Sequence, residues 1–449
     1  MLKLYNSKTK NKEKFEPLTE TVRLYTCGPT VYDYAHIGNL RSYLFEDLLK
    51  RVLLYNDYDV KHVMNITDVG HLVSDDDTGE DKVEKKAREE SRDAWELTNF
   101  YTKQFKKDIE KLNIKEPDVY VKATETINDQ INLIKKLEEK GYTYEIEDGI
   151  YFDTSQLKDY GKMSNLDEIE AGKRIEMKGK KNPTDFALWK FSKPDENRQM
   201  EWNSPWGIGF PGWHTECVVM AKKNLGIPFD IHCGGIDHIE IHHPNEIAQS
   251  KAAFGKNPAN FWMHNEFLTV EGEKMSKSKG NFHTLGDITK DYPPLSYRYL
   301  SLTSHYRSKM NFSEEALNGA NNSLKKMKER VTDLPEKSKV SKKYKKKFLA
   351  AINDDLNTPQ ALKVAWNMLK DGDLDPKIKK ATIIDFDKVL GLSLTEKEEI
   401  PDDIVKLAEK RLKAKKKENY ERADEIREKI NNKGYKIEDI KDGYKLKKK

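Results

Sequence analysis

One short unit near the start of the chain constrains the fold more than any other feature. "VRLYTCG", residues 22–28, is a strand-like apolar run ending in glycine, with Pro29 after it. "YLFEDLLKRVLLYND", residues 43–57, has helical periodicity, with Leu44, Leu48, Leu49 and Leu53 on one face. "VKHVMNI", residues 60–66, is strand-like again. Strand, glycine turn, helix and strand make a βαβ unit, and a helical crossover of that length joins strands that pair in parallel. The expected fold class is therefore α/β with a parallel sheet.

Beyond this unit the pattern changes several times. Residues 82–112 read as one long charged helix, and residues 124–140 as another, with Ile127, Ile131, Ile134 and Leu137 on one face and Gly141 as its cap. "YTYEIEDGIYFDTS" then alternates around Asp148-Gly149, a hairpin signal that opens a separate insertion running to about residue 200. A βαβ pattern resumes near Phe229, and after residue 295 the chain reads as helical. "EKSKVSKKYKKK", from Glu336, is a lysine-rich connector; the next stretch is one or two helices broken at Pro359. A basic helical pair and a short hairpin, "GYKIEDIKDGYKL", close the chain.

A chain of 449 residues with 37% hydrophobic content has room for several cored domains. It has no run of eighteen apolar residues, so no transmembrane span is expected, and "MLKLYNSKTK" lacks the apolar core of a signal peptide. Three cysteines, Cys27, Cys217 and Cys233, are too few for a disulfide scaffold, so a reducing, cytoplasmic setting is expected, with thiols free for metal or catalysis. Net charge is +4, yet residues 411–449 alone carry 15 Lys+Arg against 8 Asp+Glu, a local +7 on a body of about −3. A basic end suits a polyanionic partner; a solvated helical face is the other reading.

Two motifs mislead. "GIGFPG", residues 207–212, fits the dinucleotide glycine template but follows a Trp-Pro loop and has Pro211 where the phosphate-binding helix should open. "DDDTGED", residues 75–81, resembles a calcium loop but has Gly79 at its fifth position and Lys86 at its twelfth, where a bidentate Glu is needed.

Three other groups carry chemistry. "AHIGN", residues 35–39, opens the first long helix, so His36 and Asn39 share a face of its first turn, where exposed N–H groups favour phosphate. "EGEKMSKSKGN" places Lys274 and Lys277 between flexible small residues, suited to neutralising charge on a phosphate chain. Cys27, Cys217 and, from "HHPNE", His242, His243 and Glu246 are possible metal ligands; Cys27, Cys217, His242 and Glu246 make a tetrahedral zinc set by donor type, Pro244 suiting the first turn of the helix that bears the last two. The two cysteines are far apart in sequence, so buried free thiols remain the alternative from spacing alone.

Eight stretches in register, "TCGPTVYDYAHIGN", "NITDVG", "NPTDFALWK", "PGWHTECVVM", "FDIHCGGID", "HHPNEIAQS", "KMSKSKGN" and "HYRS", resemble the cysteinyl-tRNA synthetase family of class I aminoacyl-tRNA synthetases. The resemblance covers essentially the whole chain. It implies a nucleotide-binding parallel-sheet domain in two halves, residues 1–112 and 201–265, split by an inserted acceptor-end domain, 113–200. It further implies a KMSKS loop and stem-contact region at 266–330, an all-helical anticodon-binding region at 331–400 and a small basic anticodon-recognition domain at 401–449. The implied reaction is cysteine plus ATP giving cysteinyl-adenylate and pyrophosphate, then transfer of cysteine to the 3′-terminal ribose of tRNA-Cys.

By motif match, Cys27, Cys217, His242 and Glu246 fall on the family's ligands for one Zn2+ per chain. Thr67, Trp213, His232 and Asp237 fall around the bound L-cysteine. His36 and Asn39 would hold ATP, accompanied by Mg2+, and Lys274 and Lys277 would clamp its phosphates. The resemblance implies that zinc selects the substrate thiolate over the serine hydroxyl. The chain departs from the family pattern at Pro244, at Cys233, where glycine is common, and at its C-terminus, which lacks a tryptophan often found there. A monomer is expected. Two rival readings are a cysteine ligase acting on an amino sugar and an inactive tRNA-binding paralogue; the helical extension argues against the first and the intact motifs against the second.

Overall fold

The computed structural model describes residues 1–70, 72, 79–164, 179–193, 197–275, 280–396, 401–440 and 443–448. It divides into two compact units, Met1–Leu394 and Thr395–Lys449. At the centre of the first is a five-stranded sheet of β1 (Thr21–Thr26), β2 (Asp59–Ile66), β3 (Val119–Lys122), β4 (Phe229–Gly235) and β5 (Ala259–Asn265). Its order is β5-β4-β1-β2-β3, and every pairing is parallel. The βαβ expectation holds: helix α1 (Ile37–Tyr55) carries the chain from β1 to β2 and packs on β2, β4 and β5. Two further helices, α2 (Trp213–Leu225) and α3 (His242–Phe254), flank β4 in sequence.

Chain order reverses between β1 and β4, whose carboxyl ends are joined by the Cys27 N–H donating to Cys233 O at 3.0 Å. In a doubly wound sheet a crevice opens at such a reversal, outside the carboxyl ends of the strands. Cys27, one residue beyond β1, stands at this point.

The insertion forms its own antiparallel sheet, in the order Thr143–Ile146, Gly149–Phe152, Phe186–Phe191, Gly207–Pro211, Trp202–Ser204. Its fully buried Trp189, Phe152 and Leu188 make a core separate from the main one. The Asp148-Gly149 hairpin lies where expected, but the sheet runs past residue 200 to Pro211. "GIGFPG" is thus mostly strand, consistent with its rejection as a phosphate loop. The stretch 82–112 differs from the single helix expected: it is two, Lys82–Glu89 and Ala94–Lys111. Ser91 turns the chain at φ +52°, and the Asp93 carboxylate caps the second helix by accepting from the Trp95 and Glu96 N–H groups.

Helices Pro294–Leu302, Glu314–Thr332, Lys342–Ile352, Thr358–Lys370 and Pro376–Leu390 complete the first unit. The second unit pairs helices Asp402–Lys416 and Tyr420–Asn432 with the hairpin Tyr435–Ile440/Gly443–Lys448 around Ile404, Ala408, Ile426, Ile430 and Ile437. Among the described residues, no helix is long and apolar enough to cross a membrane.

Candidate active site

Helix α1 begins with a reciprocal cap. His36 Nδ1 accepts the Asn39 N–H at 3.1 Å, and Asn39 Oδ1 accepts the His36 N–H at 3.3 Å. The two residues singled out in "AHIGN" are therefore the N-cap and its partner one turn in. Gly38 between them leaves room for both side chains: a Cβ there would stand 2.9 Å from the His36 ring and 3.1 Å from the Met275 methyl. Met275 belongs to the KMSKS stretch, and the residues after that stretch also dock on α1. Ile37 N–H donates to His283 O at 2.9 Å, Phe282 meets the His36 ring edge-on at 5.4 Å, and Tyr297 OH donates to Ile37 O at 2.6 Å. The fold thus brings Met275 and the described residues that follow the KMSKS stretch to the entrance of α1, more than 230 residues away in sequence. Lys274 ends the short strand Glu273–Lys274, which pairs with Leu268–Val270, and Lys277 lies outside the described residues.

The four zinc candidates converge at the carboxyl end of β1. Cys27 follows β1, Cys217 lies in the first turns of α2, and His242 and Glu246 lie one turn apart at the start of α3. One donor atom from each lies within 4.8 Å of all the others, and all four side chains are buried. Donors around a tetrahedral zinc stand about 3.5 Å apart, so small side-chain adjustments would close the set on one ion. Glu246 Oε1 sits 3.1 Å from His242 Nε2 yet accepts no hydrogen bond of proper geometry. Two thiols, an imidazole and a carboxylate whose donor atoms converge in this way suit zinc.

The electrostatics fit this picture. The Cys27 thiol, as hydrogen-bond donor, lowers Cys217 to about 6, against burial and the Glu246 carboxylate. Burial raises Cys27 well above its ordinary value. Burial would lower His242, but Cys217 and Glu246 raise it to about 10; burial would raise Glu246, but His232 and His242 bring it to about 2.

The residues expected around a bound cysteine divide. Trp213 stacks on His242 with centroids 4.3 Å apart. His232 Nε2 lies 2.9 Å from Glu246 Oε2. Thr67 is buried one residue beyond β2, where its Oγ1 accepts from Asn65 Nδ2 at 3.0 Å. Asp237 stands apart from this cluster: its side chain is 62% exposed and faces His238 at 4.0 Å.

Sequence reasoning missed two more histidines here, His214 and His264, which meet His242 and His243 of "HHPNE". His214 Nδ1 lies 2.9 Å from His242 Nδ1, His243 Nδ1 lies 2.7 Å from His264 Nε2, and His264 Nδ1 lies 2.8 Å from Ser7 Oγ. Composition held a signal: six of the chain's eleven histidines fall between residues 214 and 264. Gly234 makes room for His238 and His243, since a Cβ there would meet His238 at 2.5 Å and His243 at 2.9 Å.

The parallel sheet with a crevice at its order reversal is the body of a class I aminoacyl-tRNA synthetase. The family model for the tRNA synthetases class I (C) catalytic domain matches residues 14–322. Together with full-length relatives, this match shows that the chain belongs to the cysteine–tRNA ligase family. It is 48% identical to cysteine–tRNA ligase 1 of Burkholderia lata, over 99% of this chain and 96% of that protein. It is 44% identical to the cysteine–tRNA ligase of Treponema denticola, over 98% of each. In fold it is similar to Mycobacterium tuberculosis methionyl-tRNA synthetase solved with methionyl-adenylate, at a TM-score of 0.56 and 16% identity, covering 83% of this chain and 90% of that one.

Proposed function

We propose that this chain is a cysteine–tRNA ligase: it activates L-cysteine with ATP and Mg2+ and transfers the cysteinyl group to the 3′-terminal ribose of tRNA-Cys. The observation that carries the reading is the convergence of Cys27, Cys217, His242 and Glu246 at the sheet crevice of a chain with full-length cysteine–tRNA ligase relatives.

The reacting groups belong to the substrates, so the protein's work is positioning and charge stabilisation. In the first step the cysteine carboxylate attacks the α-phosphorus of ATP and pyrophosphate leaves. His36 and Asn39 fix the entrance of α1, whose Gly38 N–H would face the phosphates. Lys274 and Lys277 would neutralise charge on the departing pyrophosphate. In the second step a ribose hydroxyl attacks the carbonyl carbon and AMP leaves.

Cys27, Cys217, His242 and Glu246 would hold one Zn2+, which when bound supplies a soft centre that favours a thiolate over a hydroxyl. Trp213, stacked on His242, and His232, beside Glu246, would hold those side chains in orientation while Thr67 lines the approach from β2. Pocket shape alone separates near-isosteres by only about 1–3 kcal/mol, which leaves the discrimination of cysteine from serine to this cluster.

The test is charging of tRNA-Cys by the purified full chain, with an amino-sugar acceptor in a parallel reaction. Cysteinyl-tRNA as the sole product is expected. Cysteine transferred to the sugar and not to tRNA would replace this reading with the amino-sugar ligase, and no charging by folded, zinc-loaded protein would replace it with the inactive tRNA-binding paralogue.

A further inference from the structure

The two adjacent histidines at the start of α3 are held in the same way, although only one falls in the ligand set above. His242 has its Nδ1 against His214 Nδ1 at 2.9 Å and turns its Nε2 toward Glu246 Oε1 at 3.1 Å. His243 has its Nδ1 against His264 Nε2 at 2.7 Å, and its own Nε2 lies 3.5 Å from Cys27 Sγ and 3.8 Å from Glu246 Oε1. The second chain continues: His264 Nδ1 lies 2.8 Å from Ser7 Oγ, and the Ser7 N–H donates to Trp262 O. An imidazole that donates its Nδ1–H to a fixed acceptor and presents its Nε2 lone pair to a thiol and a carboxylate is arranged as metal-ligating histidines are. His232, whose Nε2 reaches Glu246 Oε2, adds a fourth donor. Cys27, His232, His243 and Glu246 are all buried, with donor atoms again within 4.8 Å of one another.

We infer that the centre is a two-position metal site, in which Cys27 and Glu246 are shared and a divalent ion of the Zn2+ or Co2+ class can pass from the Cys217–His242 side to a second cage completed by His232 and His243. The second cage exchanges one thiolate for an imidazole and so presents one fewer negative charge to the ion. It also releases Cys217 and His242. The inference rests on the zinc reading of the first set.

The test is Co2+ titration of the metal-free full chain, where thiolate-to-cobalt charge-transfer absorption counts sulfurs per ion. The wild type should take a full equivalent with the absorption of two thiolates; failure to bind would overturn the zinc reading itself. Cys217→Ser/His242→Gln removes two donors from the first cage and none from the second. It should still take a full equivalent, with the absorption of one thiolate. Adding His243→Gln should weaken binding by roughly 100-fold. If the double and triple variants bind equally, the second cage is wrong while the first stands. Should the double variant fail to fold, zinc-edge absorption of the single Cys217→Ser variant decides. Two imidazoles around the ion support the second cage, and one overturns it.

Discussion

Two buried polar clusters lie on either side of α1's role in the fold, and they are built on opposite principles. The first centres on Asp47, Arg51 and Arg298. Asp47 accepts from Arg51 Nε, Arg298 Nη2 and the Lys115 N–H, while the two guanidinium groups donate to the carbonyls of Lys388, Leu390, Leu112 and Asn113. Burial would raise the Asp47 carboxyl, but the two arginines hold it below its ordinary value. Every donor there has an acceptor, and the cluster ties α1 to the ends of helices Ala94–Lys111 and Pro376–Leu390. The sulfur–histidine cluster is open: four metal-donor atoms converge, and Glu246 Oε1 has no donor of proper geometry. A closed network serves stability and an open one waits for a cation, so buried charge by itself does not mark function.

Breaking each cluster should therefore give different losses. In the open cluster, Cys27→Ser should lower cysteine-dependent exchange by roughly 100–1,000-fold while changing stability by only about 1 kcal/mol, measured as activity and thermal unfolding of the same preparation. In the closed cluster, Arg298→Met leaves the Asp47 charge under-compensated and should cost about 3–5 kcal/mol of stability, read by urea unfolding, with exchange per folded molecule reduced far less than by Cys27→Ser.

His62 sharpens the comparison through pH. It is fully buried, with Nε2 at 2.9 Å from Thr26 Oγ1, and burial with the nearby Lys50 lowers it to about 3. The unfolded chain protonates it near 6.5, so between those values the unfolded state binds more protons and stability falls as pH falls, by at most roughly 1.4 kcal/mol per pH unit. His62→Gln should flatten that fall between pH 6.5 and 3 relative to wild type in pH-dependent unfolding. Outside both clusters, Asp93→Ala removes only a helix cap and should cost about 1 kcal/mol, with exchange unchanged.

The sheet was legible because β1, α1 and β2 each keep their own period and meet at glycine. That His36 and Asn39 share the first turn was legible from their spacing of three residues; that they cap each other was seen only in the structure. The closed cluster was not: Asp47, Arg51 and Arg298 sit on helix faces that look solvated in sequence, and only tertiary packing buries them. The four zinc candidates were named by donor type and by resemblance, since no spacing rule links Cys27 to Cys217 across an inserted domain. His214, His264 and Ser7 escaped because their meaning lies in which histidine ring nitrogen faces which neighbour. The break at Ser91–Asp93 escaped because the charged pattern on both sides is helical; the Asp93 cap alone marks it.

The central claim is that the open cluster selects a thiol for adenylation. The most direct measurement is ATP–pyrophosphate exchange by the full chain with cysteine, with serine as control, and with zinc removed and then restored. The account predicts exchange with cysteine and not serine, lost on zinc removal and regained on its return. Exchange with serine at a comparable rate, or exchange with cysteine that survives complete removal of zinc, would contradict it.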